Sequence, residues 1–500
     1  MSVRSIRAMS KLFDSRRTTR PLAVTLGLLA SITLTACAVG PTYAPPTVTI
    51  TTAWQAPLPH DGNVAALAGW WSRWNDATLV ALIEAAQASN PTLDQAAARI
   101  AQARAGQTIA GASGLPNVSG TASANRGNLA GQSLGLGALT SVSASAQAAW
   151  EIDLFGASRR GREAASARFG ARTLDWHQAR VSLAADVAST YANLRVNEAL
   201  AVGYERDAAS RKETARLTGL KTDAGFEAPA NAALARASAS EAASRLTAQR
   251  AEVDLGVKAL VALTGLNEPL LRNMLAAGRA QLPELATGSA LNIDSVPATV
   301  LAQRPDLAAS ERELAALTAE IGAAEADRYP KISLTGSVGY SIARIAGSSV
   351  GTTTWGFGPS IDIPLFDAGR RSAVVEQTRA RYDEALAGYK ATATRAVREV
   401  EEALTQLQSA KLRAPDLQAS LAGYQAFERA ALARLSAGAG SVLELEDARR
   451  AVLAAQVAVI AVERERLAAS ISLYRAAGGG WQSTQIQNTA IAPTQVSEKK

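Results

Sequence analysis

The chain repeats itself once at long range, and that doubling limits the possible folds more than any other feature. Asn90-Pro91 in the first half answers Arg304-Pro305 in the second, and Leu115-Pro116-Asn117-Val118-Ser119 answers Tyr329-Pro330-Lys331-Ile332-Ser333. Asp153-Leu154-Phe155-Gly156-Ala157-Ser158-Arg159-Arg160 answers Pro364-Leu365-Phe366-Asp367-Ala368-Gly369-Arg370-Arg371. The offsets are 214, 214 and 211 residues, so order and spacing are both kept. So long a period marks a doubled half-chain and not a short solenoid repeat. Each half reads as helix, two strands, then a long helical hairpin. The first repeat spans 77–265, with strands over 116–126 and 140–152 and a hairpin over 158–264. The second spans 298–477, with strands over 331–342 and 352–363 and a hairpin over 367–476. An extended segment 37–76 precedes them, a linker 266–297 joins them, and a tail 478–500 is expected to be disordered.

The strands alternate strictly. Ile332, Leu334, Val338, Tyr340 and Ile342 share one face with Gly336; Lys331, Ser333, Thr335, Ser337 and Ser341 share the other. Trp355, Phe357, Ile361 and Ile363 stand opposite Thr354, Ser360 and Asp362. Val142, Ala144, Ala146, Ala148, Trp150 and Ile152 alternate with Ser141, Ser143, Ser145, Gln147 and Glu151. Val118, Ala122 and Ala124 alternate with Asn117, Ser119, Thr121, Ser123 and Asn125. Period two, apolar out and polar in, suits a lipid-facing barrel with a wet lumen. A soluble sandwich with one face in a core gives the same alternation. Four strands cannot close a barrel, and a spanning sheet cannot leave open edges in lipid. Crossing a membrane would therefore need several chains in one barrel, eight strands from two chains or twelve from three.

Helices make up most of the remainder. Ser158 to Thr218 contains no proline and reaches roughly 90 Å as one helix. Asp367 to Leu435 is comparable, with a kink expected at Pro415. Val442 to Ala476 carries two apolar stripes, one through Val452, Val459, Val462, Ala469 and Leu473, the other through Leu453, Val457, Ile460, Leu467 and Ile471. Such a helix packs on two sides, in a closed helical ring or in an ordinary bundle. The hairpins turn at Gly225 and Gly438, which suit helix C-caps.

The N-terminus sets the compartment. Residues 1–20 are basic and residues 21–36 form a short apolar run ending in small residues, the pattern of a secretory leader. The chain's one cysteine follows in Leu34-Thr35-Ala36-Cys37, which looks like a bacterial lipobox with Cys37 as the lipidation site. Ala38 is not Asp, which by the usual sorting rule directs the lipoprotein to the outer membrane. The formal charge of +7 belongs mostly to this leader, so no basic patch for nucleic acid is indicated. No run of about 18 apolar residues follows, so no transmembrane helix is expected.

No catalytic residue, cofactor or metal site is expected. His60 and His177 are far apart in sequence, Cys37 is committed to the anchor, and there is no Walker loop, HExxH or nucleophile elbow. The carboxylates lie along helices beside Arg and Lys, where solvated ion pairs are the default.

Together these residues resemble one family. Cys37-Ala38-Val39-Gly40-Pro41-Thr42-Tyr43 is similar to the mature start of lipoproteins in the outer membrane efflux protein family, the TolC/OprM/NodT group. Trp70-Trp71, Asp76, Leu79, Leu82-Ile83, Asn90-Pro91 and Leu93 resemble its first helices. Arg398-Glu399-Val400-Glu401-Glu402-Ala403-Leu404 and Gly478-Gly479-Gly480-Trp481 resemble its later signatures. The resemblance implies a mainly α fold with a transmembrane β part. Long hairpins would form a trimeric periplasmic α-barrel, and each chain would give four strands to a shared 12-stranded β-barrel. It also implies a homotrimer anchored in outer-membrane lipid, acting as the exit duct of a tripartite system for drugs or other small toxic compounds. The partners would be a periplasmic adaptor and an inner-membrane, proton-driven RND pump. By position, Gly225 and Gly438 would lie where the adaptor meets the tips. Leu443, Asp447 and Arg450 would lie where the family narrows its periplasmic aperture. Asp447 and Arg450 are also spaced as an ordinary exposed i,i+3 pair. A type I secretion or metal-efflux duct of the same fold is an alternative. So is a non-channel periplasmic scaffold lipoprotein, which would need no alternating strands.

Overall fold

The computed structural model describes residues 39–47, 54–56, 70–127, 139–276, 282, 300–345 and 348–481. The leader and Cys37 lie outside the described residues. Two compact units form: Met1–Pro46 with Gln102–Gly170 and Arg312–Leu386, and Thr47–Ala101 with Ala171–Glu311 and Ala387–Lys500. Both repeats contribute to both units, so neither repeat is a separate globular domain.

In the first unit, β1 (Asn117–Gly127), β2 (Leu139–Ile152), β3 (Lys331–Ile345) and β4 (Ser348–Asp362) form one antiparallel sheet in chain order. β4 starts before the expected residue 352 and its ladder ends at Asp362, leaving Ile363 outside. The register brings the apolar residues of all four strands together. Ala124 lies beside Val142 and Val142 beside Ile342; Val338 lies beside Ala146 on one side and Trp355 on the other. No described residue covers this face: Val338 is 55% exposed and Trp355 82%. On the opposite face Thr121 and Ser145, and Ser123 and Ser143, pair through hydroxyls at 2.9 Å. An apolar face outward and a hydroxyl-rich face behind it is the inverse of a soluble sheet.

Two helices of this unit pack through small residues. Ala164 of α3 (Ala157–Asp223) is buried against Ala316 and Ala319 of α6 (Pro305–Ala326). Arg168 spans the same contact, 3.3 Å from Glu313 and 2.5 Å from Glu320.

The second unit holds the main core. Asp76 caps α1 (Ala77–Ser89) by accepting from Thr78 and Leu79 N–H groups at 3.0 and 3.2 Å. The spacing of Leu79, Leu82, Ile83 and Ala86 then buries one stripe of that helix. The single helix expected before the first strands is in fact two. Asn90 stops α1 in extended backbone, and Pro91 opens α2 (Pro91–Ala112) at the position where its missing N–H is harmless. The core also takes Tyr191 and Leu194 from α3, Val257 and Leu260 from α4 (Pro229–Thr264), Val400 and Leu404 from α7 (Arg370–Ser436), and Leu467, Ile471 and Leu473 from α8 (Val442–Ala476). In the two α8 stripes Val452, Val462, Ala469 and Leu473 of one and Leu467 and Ile471 of the other are buried, while Val459, Leu453, Val457 and Ile460 in mid-helix stay half-buried. α7 runs as one helix through the exposed Pro415.

Three boundary readings need correction. The linker 266–297 contains α5 (Glu268–Ala276), which forms because Leu271 and Leu275, one turn apart, both enter the core; most of 277–299 lies outside the described residues. The tail does not begin at 478. Gly478–Gly480 form a 3-10 turn, and a Cβ on Gly478 would stand 2.2 Å from the Gln303 carbonyl oxygen. Trp481 is buried with Leu174 and Ala309, and 482–500 lie outside the described residues. The segment 37–76 is not wholly extended. Trp71–Trp74 form a 3-10 helix because Trp70 and Trp74 are buried and Trp71 packs 4.6 Å from Tyr474.

Buried Arg304, just before α6, ties this unit together. It donates to both Asp306 carboxylate oxygens at 3.0 and 2.8 Å, to Glu399 at 2.8 Å and to the Ala476 carbonyl at 2.9 Å. Glu401, in the same Arg398–Leu404 run, accepts from the backbone of Gln55 and Ala56 at 2.6 and 2.7 Å. Burial opposes ionisation of Asp306, but the hydrogen bonds and charge of Arg304 outweigh it and hold the carboxyl below its ordinary value. The stabilisation is therefore full above the ordinary value near 3.8 and is lost as pH falls through the lower folded value. Arg304→Ala is expected to destabilise the fold by about 3–5 kcal/mol at neutral pH. Chemical denaturation should show that deficit shrinking below about pH 4.

Candidate functional site

The sites indicated by sequence lie at the turns of the two hairpins, and both turns close with the same physics. After α3, Gly225 takes φ +79°. Its N–H bonds to the Thr222 carbonyl at 3.0 Å, and Phe226 N–H reaches the Lys221 carbonyl at 2.8 Å. After α7, Gly438 takes φ +77°, with Gly438 N–H on Leu435 at 3.1 Å and Ala439 N–H on Arg434 at 2.9 Å. Both are Schellman caps, which satisfy the last helical carbonyls through one left-handed residue. A Cβ at either glycine would meet nothing within 4 Å, so glycine is needed here for its backbone angle and not for space. The tips differ in what they display. Phe226 is 84% exposed on the first, whereas the second offers Ala437 and Ala439. Pro229 at the first turn of α4 and Ser441, whose hydroxyl accepts from Glu444 N–H at 3.1 Å, start the returning helices.

The first turns of α8 divide sharply. Val442, Leu445, Glu446, Ala448, Arg449 and Val452 are buried; Leu443, Asp447 and Arg450 line the opposite, exposed stripe. The fold thus brings Leu443, Asp447 and Arg450 onto one bare face. Arg450 donates to Asp447 at 3.2 Å, with both side chains more than half exposed. Within a single chain such a pair contributes no more than about 0.5 kcal/mol.

Sequence reading missed the charged cluster on the buried side. Arg211 of α3 bonds Asp207 at 2.8 Å and Glu446 of α8 at 2.5 Å, and it also meets Ser238 of α4. Ser238 donates to the same Glu446 carboxylate at 2.7 Å. Arg449 donates to Thr214 of α3 at 2.6 Å and to Glu446 at 3.2 Å, and lies 3.7 Å from Glu428 of α7. Arg211 and Glu446 are each 1% exposed. Four helices, and so both hairpins, converge on this knot, on the side of α8 opposite the exposed stripe of Leu443, Asp447 and Arg450. One signal was available: Glu446 and Arg449 occupy positions that the spacing of Val442, Leu445, Ala448 and Val452 turns inward. Among the described residues no group of three or more His, Cys, Asp or Glu side chains could hold a metal ion. Among them, too, no helix is long and apolar enough to cross a membrane. Glu446→Ala, which removes the buried carboxylate shared by Arg211 and Arg449, is expected to destabilise by about 3 kcal/mol. Asp447→Ala, one residue on, should stay within about 1 kcal/mol. Thermal melts of the two variants side by side make the comparison.

Comparison with known proteins agrees with this architecture. The family model for outer membrane efflux proteins matches twice, over residues 82–266 and 296–479, once for each half. Nodulation protein T of Rhizobium leguminosarum bv. viciae is 29% identical over 463 residues, covering 92% of this chain and 94% of its own. Outer membrane protein OprJ of Pseudomonas aeruginosa is 30% identical over 461 residues, covering 91% and 95%. The solved structure of the outer-membrane channel OprN superposes with a TM-score of 0.78 at 30% identity, over 89% of this chain and all of that one. The chain belongs to the outer membrane efflux protein family.

Proposed function

We propose that this chain is the outer-membrane exit duct of a tripartite, RND-type efflux system, passing drugs or other small toxic compounds. One observation carries the reading: a four-stranded sheet whose apolar residues share a register and lie bare on one face, with both edge strands unpaired. In water that face would be an aggregation surface. In lipid it is what a spanning strand requires, provided other copies close the edges. Three chains give the twelve strands that the family resemblance implies. Cys37 would carry the lipid anchor that holds the chain to the outer membrane.

The hairpin tips supply the periplasmic end. Gly225 and Gly438 would be the points where the helices of an adaptor meet the tips, beside exposed Phe226 on the first and small Ala437 and Ala439 on the second. In a trimer, Leu443 forms an apolar ring and Asp447 a charged ring, and Arg450 can pair with a carboxylate of its own or a neighbouring chain. Transport energy would come from the inner-membrane pump that the family resemblance implies.

Native mass spectrometry of the detergent-extracted protein, with peptide mapping at Cys37, tests the assembly. A trimer carrying acyl mass on Cys37 is the expected result; a lipidated monomer stable in mild detergent overturns the duct. Asp447→Ala/Arg450→Ala trimers in planar bilayers are expected to conduct more than wild type. Unchanged conductance would remove both residues from the aperture. Val338→Asp, mid-strand on the bare face, is expected to reduce the heat-resistant assembled fraction in isolated membranes, since a charge on a lipid face is destabilising.

A further inference from the structure

Beside the main core, within the second unit, a cleft of about 520 Å3 opens between α1, α3 and the end of α8. Its size suits one small ligand. On α1, Glu84 and Gln87 stand one turn apart on its wall; on α3, His177 and Arg180 do the same. Trp71, from the 3-10 helix, and Trp481, just after Gly478–Gly480, close the remaining sides.

Two rings in this wall are half-exposed and braced from behind. Trp71 packs against Tyr474, with ring centroids 4.6 Å apart, and against Trp74 at 5.7 Å. His177 lies 6.3 Å from the buried Trp481 ring and 5.1 Å from that of Trp176. Rings supported in this way are oriented before any ligand arrives.

The polar groups are fixed as well. Arg180 donates to Gln87 Oε1 at 3.2 Å, and its guanidinium lies 5.0 Å from the centre of the Trp176 ring. Burial, and then the charge of Arg180, holds the His177 imidazole below its ordinary value. At neutral pH it is therefore uncharged, with one nitrogen to donate and one to accept. Glu84 and Arg180 are the charged groups of the wall, and they cancel. Trp481 adds an unmet demand: its indole N–H is buried without a hydrogen-bond partner among the described residues, which a buried indole ordinarily finds.

This wall selects a ligand class. A charged ligand gains from one member of the Glu84 and Arg180 pair and is opposed by the other. A purely apolar ligand strips water from both and replaces none of its hydrogen bonds. A pyranose satisfies both halves of the wall. Its C–H face covers an aromatic ring, and its hydroxyls, each donor and acceptor at once, surround that face. We propose that this cleft binds a small neutral saccharide, seated on Trp71 and His177 and held at its edge by Glu84, Gln87 and Arg180. The proposal does not depend on the exit-duct reading, because the cleft is built within one unit of a single chain.

The test uses wild-type protein in a sugar-free detergent, lauryldimethylamine oxide, titrated with cellobiose and with N,N′-diacetylchitobiose while tryptophan emission is followed. A saturable change with at least one disaccharide is expected, and native mass spectrometry should count one saccharide per chain. Glu84→Ala/Gln87→Ala is expected to weaken binding by about tenfold with a nearly unchanged thermal melt. Trp71→Phe, which keeps a ring, should retain binding, and Trp71→Ala should lose it. Trp71 also packs in the core, so the Glu84 and Gln87 variant decides the matter if Trp71→Ala fails to fold. Sedimentation with purified cell-wall sacculi separates two sources of the sugar. Retention that Glu84→Ala/Gln87→Ala reduces identifies a glycan strand; binding of a free disaccharide without such retention identifies a soluble sugar. The site is overturned if neither disaccharide gives a saturable response and no variant-sensitive retention occurs, or if the double variant binds as wild type does.

Discussion

The unpaired backbone groups along β1 and β4 are the constraint on which the rest of this protein depends. Every N–H and C=O on the free side of those strands needs a partner, and in hydrocarbon there is no water to provide one. The apolar face makes the demand sharper, since Trp355, Phe357, Val338 and Val118 are arranged for a medium other than water. A chain with two finished edges and a polar outer face would be an ordinary β domain. This one has neither. In the proposed trimer the same backbone bonds that hold β2 to β3 hold one chain to the next, so assembly and insertion answer one requirement.

The helical unit differs in that its most deeply buried arginines find carboxylate or carbonyl partners within the chain. Arg304 spends its donors on Asp306, Glu399 and the Ala476 carbonyl. Arg195 is shared among Tyr191, Glu198 and the Leu275 carbonyl. Near the tips, Arg211 and Arg449 converge on Glu446. Breaking such groups strands a buried charge, which destabilises far more than losing an exposed pair. α8 therefore places a rigid knot and a soft stripe on opposite sides of the same two turns. The knot fixes where the helix lies, whereas Leu443, Asp447 and Arg450 are exposed on its other side.

Much of this was legible in the sequence because the signals were local and periodic. Alternation at period two placed all four strands, and glycine-bearing turns between long stretches poor in proline placed the hairpins. The readings that needed correction fell where local pattern is weak. α5 is short and announced only by Leu271 and Leu275. Gly478–Gly480 look like flexible punctuation until the tight approach of Gln303 gives them a structural reason. The Trp71–Trp74 turn forms because its neighbours have a core to enter, which no window of sequence reveals.

Taken alone, the sequence determined the doubling, the strand faces and the glycine caps, because each follows from spacing along one segment. Tertiary structure decided what depends on residues distant in sequence. Arg211 and Glu446 are 235 residues apart and meet at 2.5 Å, and no local pattern announces such a pair. It also decided that the two repeats mix into both compact units. α2 and α6 open at the matching Pro91 and Pro305 and show the same division most simply: α2 is mostly exposed beyond Leu93 and Ala96 while α6 is mostly buried or half-buried, because burial belongs to neighbours and not to the helix itself.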